Sequence, residues 1–402
     1  MSRSPAVGAG LVTLLLVATA CMLAWESDSP LVPRNGGIVA GGAPLFLALL
    51  IGAFAAYLGA LWALRRRPPV FAAVIAIAVA IQCVPLAAPL LLSTDAWTYW
   101  SYGWIGGTGS GNPYADPPQE LPSNPALSHM GQAWLDTTSV YGPAFTLASQ
   151  PLARIAGDSD TAAAWEYKTL AAAAALAAAL LAGRIARRRA FAVALVGWNP
   201  LLAVHLGGGG HNDAWVGALI LAALALSASR RVALSGGVWV LAIAVKWIPL
   251  LFLALHALAP TRDGRRGLWR GVSIGGAAVA TAATVFYGAA WPLAIFPLLG
   301  NAALETSYAV PSRLEQLGLP QGLALGLAFG VLVTGLAWLG VEARRGRVRL
   351  GLAACLVLLT TPYLAVWYLA WAVPLAAADE DRVATGLCLV LCAYLLPQTI
   401  PL

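Results

Sequence analysis

The chain has 402 residues, 60% of them apolar and only 10% charged, where a water-soluble globular protein carries roughly a quarter charged. At about 20 apolar residues per membrane crossing, this supply predicts an all-α, polytopic membrane protein with about 10–13 transmembrane helices. It excludes a soluble enzyme, a disordered chain and a secreted disulfide scaffold. The net charge of +7 does not point to nucleic acid, because 18 of the 24 basic residues sit in six clusters beside apolar stretches, the positive-inside pattern of short cytoplasmic loops.

In chain order, residues 6–24 read as an uncleaved first span and 38–64 as the second, with Glu26, Asp28 and Arg34 in the external loop between them. The cluster Arg65–Arg67 returns the chain to the cytoplasm, and 70–92 carries it outward into a long polar segment, 93–140, rich in Pro, Gly, Asn and aromatics. Residues 141–157 are apolar but short, and a crossing there would leave Arg187–Arg189 outside; they read as interfacial or re-entrant. Spans follow at 162–183, 190–206 and 213–229. The stretch 232–259 lies between two Arg clusters, so it crosses twice or not at all. Its length suits a hairpin of short half-helices turning near Lys246, and 350–378 repeats the pattern with a turn near Thr361–Pro362. Irregular backbone at membrane depth is tolerated only where protein or a water-filled cavity covers it, so two such hairpins imply a cavity open to the outside. The five cysteines lie in apolar stretches and read as packing residues.

Within 93–140, a helix starting at Asp95 places Asp95, Tyr99 and Tyr102 within about 60° of one another at 100° per residue. Trp97, Trp100 and Trp104 fall on the opposite face, where indoles suit lipid headgroups. A lone carboxylate at a cavity mouth, framed by two phenols, points to catalysis; a helix cap is the plainer alternative. Asn112 and Tyr114, and then Tyr141 before Gly142-Pro143, belong to turns carrying an aromatic at a fixed offset, a pattern that serves structure or ligand binding. Four glycines at 207–210 precede His211, Asn212 and Asp213 and allow a close approach to a ligand or a helix. Asn212 or Asp213 suits the cap of the next span, whereas His211 suits orienting a carboxylate or contacting phosphate. Lys246, in the turn of an apolar hairpin, needs a counter-charge and points to an anionic ligand. Arg313 is a second external cation, equally readable as a solvated charge. Trp367 and Tyr368, with Trp371, fit an interfacial belt as well as a sugar-stacking platform. No metal site is expected, since nothing supplies the three or four ligands of zinc, and no cofactor is demanded, although Asp213 leaves room for a divalent ion.

Together these elements resemble the GT-C superfamily of polyprenyl-phosphate-sugar-dependent glycosyltransferases, and within it the actinobacterial α-(1→6)-mannosyltransferases of lipomannan synthesis. The likeness runs in order through Asp95–Gly103, Asn112-Pro113-Tyr114, Tyr141-Gly142-Pro143, Gly209–Asp213, Lys246 with Pro249, and Pro362 with Trp367-Tyr368. Gly-Gly-His-Asn-Asp is its most specific element; Val366 stands where that family has Pro before the Trp-Tyr pair. The resemblance implies a GT-C-like fold forming one transmembrane domain over 1–402, with 93–140 as a large extracytoplasmic catalytic loop. It implies a polyprenyl-phosphate-mannose donor, a glycolipid or mannan acceptor in the cell envelope, and an extracytoplasmic site in the cell membrane among membrane lipids. It also implies Asp95 as the base of an inverting transfer. Lys246, His211 and Arg313 would then meet the donor phosphate. Tyr99, Tyr102, Asn112, Tyr114, Tyr141, Asn212, Asp213, Trp367 and Tyr368 would contact substrate. The rival reading is a polyprenyl-lipid flippase or transporter, whose usual internal repeat and mid-membrane ionisable groups are not evident in this sequence.

Overall fold

The computed structural model describes residues 4–26, 29–33, 42–259, 262–294 and 304–402; Asp28 and Arg34 of the expected first external loop lie outside the described residues. The helices in order are α1 (Pro5–Met22), α2 (Ala43–Arg66), α3 (Phe71–Cys83), α4 (Asp95–Thr108), α5 (Pro143–Ala156), α6 (Asp160–Ile185), α7 (Arg189–Gly197) and α8 (Pro200–Gly208). They continue with α9 (Asp213–Ala228), α10 (Val232–Val245), α11 (Pro249–Ala257), α12 (Arg262–Tyr287), α13 (Val310–Gln316), α14 (Gln321–Arg344), α15 (Leu350–Thr360), α16 (Leu369–Asp379) and α17 (Arg382–Tyr394). The chain is thus an all-α, multi-pass membrane protein. One buried apolar cluster runs from Ala6 to Ile400. Against it, α14 buries only Ala324, Leu339, Glu342 and Ala343, as an apolar helix facing lipid would.

Among the described residues, α1, α2, α6 and α14 are long and apolar enough to cross a membrane, and α7 with α8 makes a fifth span bent by 43°. The bend falls at Asn199-Pro200, where the Asn199 side chain accepts from the N–H groups of Leu201 and Leu202. This is fewer full-length crossings than 10–13, because the apolar supply is spread over several helices of 10–17 residues. A 14-residue helix is about 21 Å long against a hydrocarbon core of about 30 Å.

The first hairpin is present. Gly236 of α10 packs on the backbone of Leu268, Gly271 of α12 on that of Ala233, and Gly275 on Gly237. Residue numbers rise together along this seam, so α10 and α12 run parallel and the chain between them returns to its starting side. The second hairpin is the antiparallel pair α15 and α16, where Gly351 packs on Ala376 and its N–H donates to Asp379 at 2.8 Å.

The aromatic face of α4 corrects an expectation. Trp97 and Trp100 are buried, and their rings lie 5.2 and 6.5 Å from that of His129. The Trp97 indole donates to the Asp160 carbonyl at 3.2 Å. The long polar segment folds back over α4, with Asn124 donating to Ser101 at 2.7 Å, so protein occupies the face that hydropathy assigned to lipid headgroups.

Candidate active site

Two helix N-termini, the ends of two hairpins and the glycine turn converge at one place. Asp95 is the first residue of α4 and Asp213 the first of α9, positions where the helix dipole favours a carboxylate. Between α8 and α9, Gly210 adopts φ +74°, a left-handed conformation that suits glycine. It reverses the chain so that His211 meets Asp95. Gly207 and Gly208 pack on Gln82 and Leu91, so the close approach that the glycine run permits is to neighbouring protein. At the first hairpin, Lys246 breaks the helix in extended conformation. The preceding Val245 carbonyl accepts from the Gly142 N–H at 3.1 Å. A Cβ at Gly142 would run into the Ala244 backbone, which explains glycine at this joint between the long polar segment and the Lys246 turn.

The Asp95 carboxylate has two unlike oxygens. Oδ2 lies 3.2 Å from His211 Nδ1 and 3.4 Å from the Tyr99 hydroxyl; Oδ1 has no protein partner among the described residues. His211 is fully buried and stacks on Trp367, with centroids 3.9 Å apart and planes 13° from parallel. Burial alone would raise the Asp95 pKa, but the hydrogen bond and charge of His211, then Lys246 and the Tyr99 hydroxyl, outweigh it. The carboxyl is held below its usual range. Burial pushes the Tyr99 phenol well above its ordinary value, so it remains a donor. Its oxygen is also 3.4 Å from Asn212 Oδ1. The buried nitrogens His211 Nε2 and Asn212 Nδ2 have no protein partner among the described residues.

Lys246 Nζ lies 2.9 Å from both oxygens of Asp213 and 4.8 Å from the centre of the Tyr368 ring. Asp213 is fully buried, and its Oδ1 also accepts from the Trp371 indole at 2.8 Å. The counter-charge that Lys246 requires is therefore Asp213, and Asp213 is held by protein donors. Lys246 keeps 23% of its side-chain surface exposed.

The structure thus brings together Asp95, Tyr99, His211, Asn212, Asp213, Lys246, Trp367 and Tyr368. Tyr141 stands edge-on to Tyr99 at 5.1 Å. Tyr102 packs behind it at 6.2 Å and donates to the Thr137 carbonyl at 2.7 Å. Tyr114 donates to the Tyr141 carbonyl at 2.9 Å, and Asn112 donates to the Tyr287 carbonyl at 2.8 Å; these two brace the long polar segment. Arg313 lies apart, donating to Tyr394 at 2.8 Å and Gln316 at 2.7 Å. Among the described residues it makes no bond to the Asp95 group. Trp371 has a larger part than its place in an aromatic cluster suggested; its spacing of four from Trp367, one helix face, was the available signal. No three His, Cys, Asp or Glu side chains gather as metal ligands among the described residues.

A family described as alpha-(1→6)-mannopyranosyltransferase, N-terminal domain, matches residues 6–262, a stretch that includes Asp95, the His211–Asp213 turn and Lys246. The chain belongs to this mannopyranosyltransferase family. A Mycolicibacterium smegmatis protein named a probable alpha-(1→6)-mannopyranosyltransferase is 26% identical over 353 residues, covering 73% of this chain and 62% of that protein. Alpha-(1→6)-mannopyranosyltransferase A of Mycobacterium tuberculosis is 32% identical over 228 residues, covering 54% of this chain and 42% of that protein. The protein of the same name from Corynebacterium glutamicum is 29% identical over 168 residues, 40% of this chain and 33% of that one. This family member therefore spans less than two thirds of the length of each of these relatives. No solved structure matches the chain.

Proposed function

We propose that this family member is an inverting mannosyltransferase that moves mannose from a polyprenyl-phosphate-mannose donor to a growing cell-envelope mannan or lipomannan, forming an α-(1→6) linkage. The observation that carries the reading is the asymmetry of Asp95: Oδ2 is fixed by His211 and Tyr99 while Oδ1 is open. A carboxylate fixed on one oxygen and open on the other is arranged to accept a proton from an incoming hydroxyl. In the proposed step Oδ1 takes the acceptor hydroxyl proton and the acceptor oxygen bonds to mannose C1. The bond from C1 to the phosphate oxygen breaks, and polyprenyl phosphate leaves with the electron pair. Attack opposite the leaving group turns a β-linked donor into an α-linked product, and one base is enough for such an inversion.

Lys246 meets the charge developing on the departing phosphate, with Asp213 and Trp371 holding the ammonium in place. His211 Nε2 and Asn212 Nδ2, buried without protein partners among the described residues, are the nitrogens that substrate hydroxyls would satisfy. Trp367 and Tyr368 supply aromatic faces for the sugar. Tyr102, Asn112, Tyr114 and Tyr141 support these contacts from behind, and Arg313 receives no role in the step. No step is assigned to a metal ion. The site lies at the end of the helices opposite the Arg clusters, which supports an extracytoplasmic location, and the apolar cluster from Ala6 to Ile400 supports a single transmembrane domain.

The test is transfer of labelled mannose from polyprenyl-phosphate-mannose in membranes holding equal amounts of wild type or Asp95→Asn. Wild type should label an acceptor glycan, and the variant should fall by about 10²–10⁴-fold, the range for loss of a general base. Equal transfer by both would remove Asp95 from the chemistry. Transfer by neither, with lipid flipping by both, would favour the flippase.

A further inference from the structure

The Arg-rich end of the bundle holds a cavity of about 820 Å³ that the transfer chemistry does not use. Four guanidiniums line it: Arg65 near the end of α2, Arg187 and Arg188 between α6 and α7, and Arg382 opening α17. The one carboxylate lining it, Glu380, is engaged by backbone, accepting from the N–H groups of Arg187 and Arg188 at 3.1 and 2.9 Å. Among the described residues, none of the four arginine side chains is ion-paired. Arg65 rests over the Phe191 ring at 4.8 Å. The remaining wall is largely apolar, with Phe191 of α7, Ala376 and Ala377 of α16 and Leu389 of α17.

We propose that this cavity binds the phosphodiester of an anionic membrane phospholipid. Planar guanidiniums match phosphate oxygens in geometry as well as charge. Arg65 ends a membrane-spanning helix, which places the group at headgroup depth, where basic pockets between helices take anionic headgroups. The apolar wall favours a lipid over a soluble phosphate, since it offers contact to glycerol and acyl carbons. The site also has a structural consequence. It joins α7, which leads through α8 to His211, with α16, which begins beside Tyr368 and carries Trp371.

The test is the melting temperature of the purified protein in neutral detergent, titrated with phosphatidylglycerol. Wild type should show a saturable rise that phosphatidylcholine does not give. The Arg187→Gln/Arg188→Gln/Arg382→Gln variant should lose apparent lipid affinity by roughly fivefold per charge removed, about 100-fold in all. A charge-matched control at the same end, Arg266→Gln/Arg270→Gln/Arg344→Gln, should titrate like wild type. If the triple variant does not fold, Arg188→Gln alone should show the fivefold step. Unchanged titration in the cavity variants, or an equal loss in the control, would overturn the site. A matching rise from inorganic phosphate or glycerol 3-phosphate at the lipid's concentration would overturn the lipid assignment in favour of a soluble anion.

Discussion

The Asp95 group and the arginine cavity handle charge in opposite ways. Around Asp95, every ionised side chain has a stated partner: Asp95 with His211, and Lys246 with Asp213. At the far end, Arg65, Arg187, Arg188 and Arg382 face one cavity without an ion pair among the described residues. Burying a charge is costly unless it is paired and hydrogen-bonded, so the first arrangement fixes side chains before a substrate arrives. Unpaired arginines at headgroup depth cost little because water reaches them, and they remain free for an anion. Pairing therefore fixes the Asp95 group, whereas the cavity arginines, unlike Arg345, Arg347 and Arg349 at the same end, stay free for an anion.

The comparison breaks most visibly at Lys246. Replacing it by Met strands the buried Asp213 charge, and removing one partner of a buried pair costs about 3–5 kcal/mol. Lys246→Met should lower the melting temperature and abolish transfer. Lys246→Met/Asp213→Asn should regain most of the stability and none of the transfer. Recovery of transfer in the double variant would show that Lys246 serves only Asp213. A smaller effect is expected from Tyr102→Phe, which leaves the Thr137 carbonyl without its donor. It should cost about 1 kcal/mol of stability and leave transfer nearly intact, as suits a residue bracing the loop. The Arg-cavity variant should have the smallest effect, unchanged stability in lipid-free detergent, because among the described residues those three side chains make no hydrogen bond or ion pair.

Much of this arrangement was legible in the sequence because it depends on local spacing. The four-residue step from Asp95 to Tyr99 is one helical turn, and the two hairpins followed from Arg clusters bracketing 232–259 and 350–378. What escaped depends on contacts between distant segments. The counter-ion of Lys246 lies 33 residues away, and nothing local distinguishes a lysine seeking an anionic ligand from one already paired. The tryptophan face of α4 read as membrane-facing because hydropathy does not record that residues 118–140 fold over it. Asn112 and Tyr114 turned out to brace the long polar segment, and Arg313 stands apart, since turn motifs and lone cations report their own conformation and charge but not their neighbours. Composition adds up apolar residues without showing where Lys246 or Thr361 interrupts a helix, so it does not separate full-length spans from shorter helices.

The central claim is that His211 and Tyr99 hold Asp95 ionised so that it acts as base, and the pH dependence of kcat/KM for wild type and His211→Phe tests it most directly. A carboxyl held below its usual range stays charged as pH falls toward about 4. Loss of its protein-derived activation should therefore appear only below that point in wild type. Phenylalanine retains a ring to stack on Trp367 but removes the hydrogen bond and charge that lower the Asp95 pKa, so burial should prevail. The acid limb should then move to higher pH, with a reduced plateau. An acid limb that is identical in the two proteins would contradict the account.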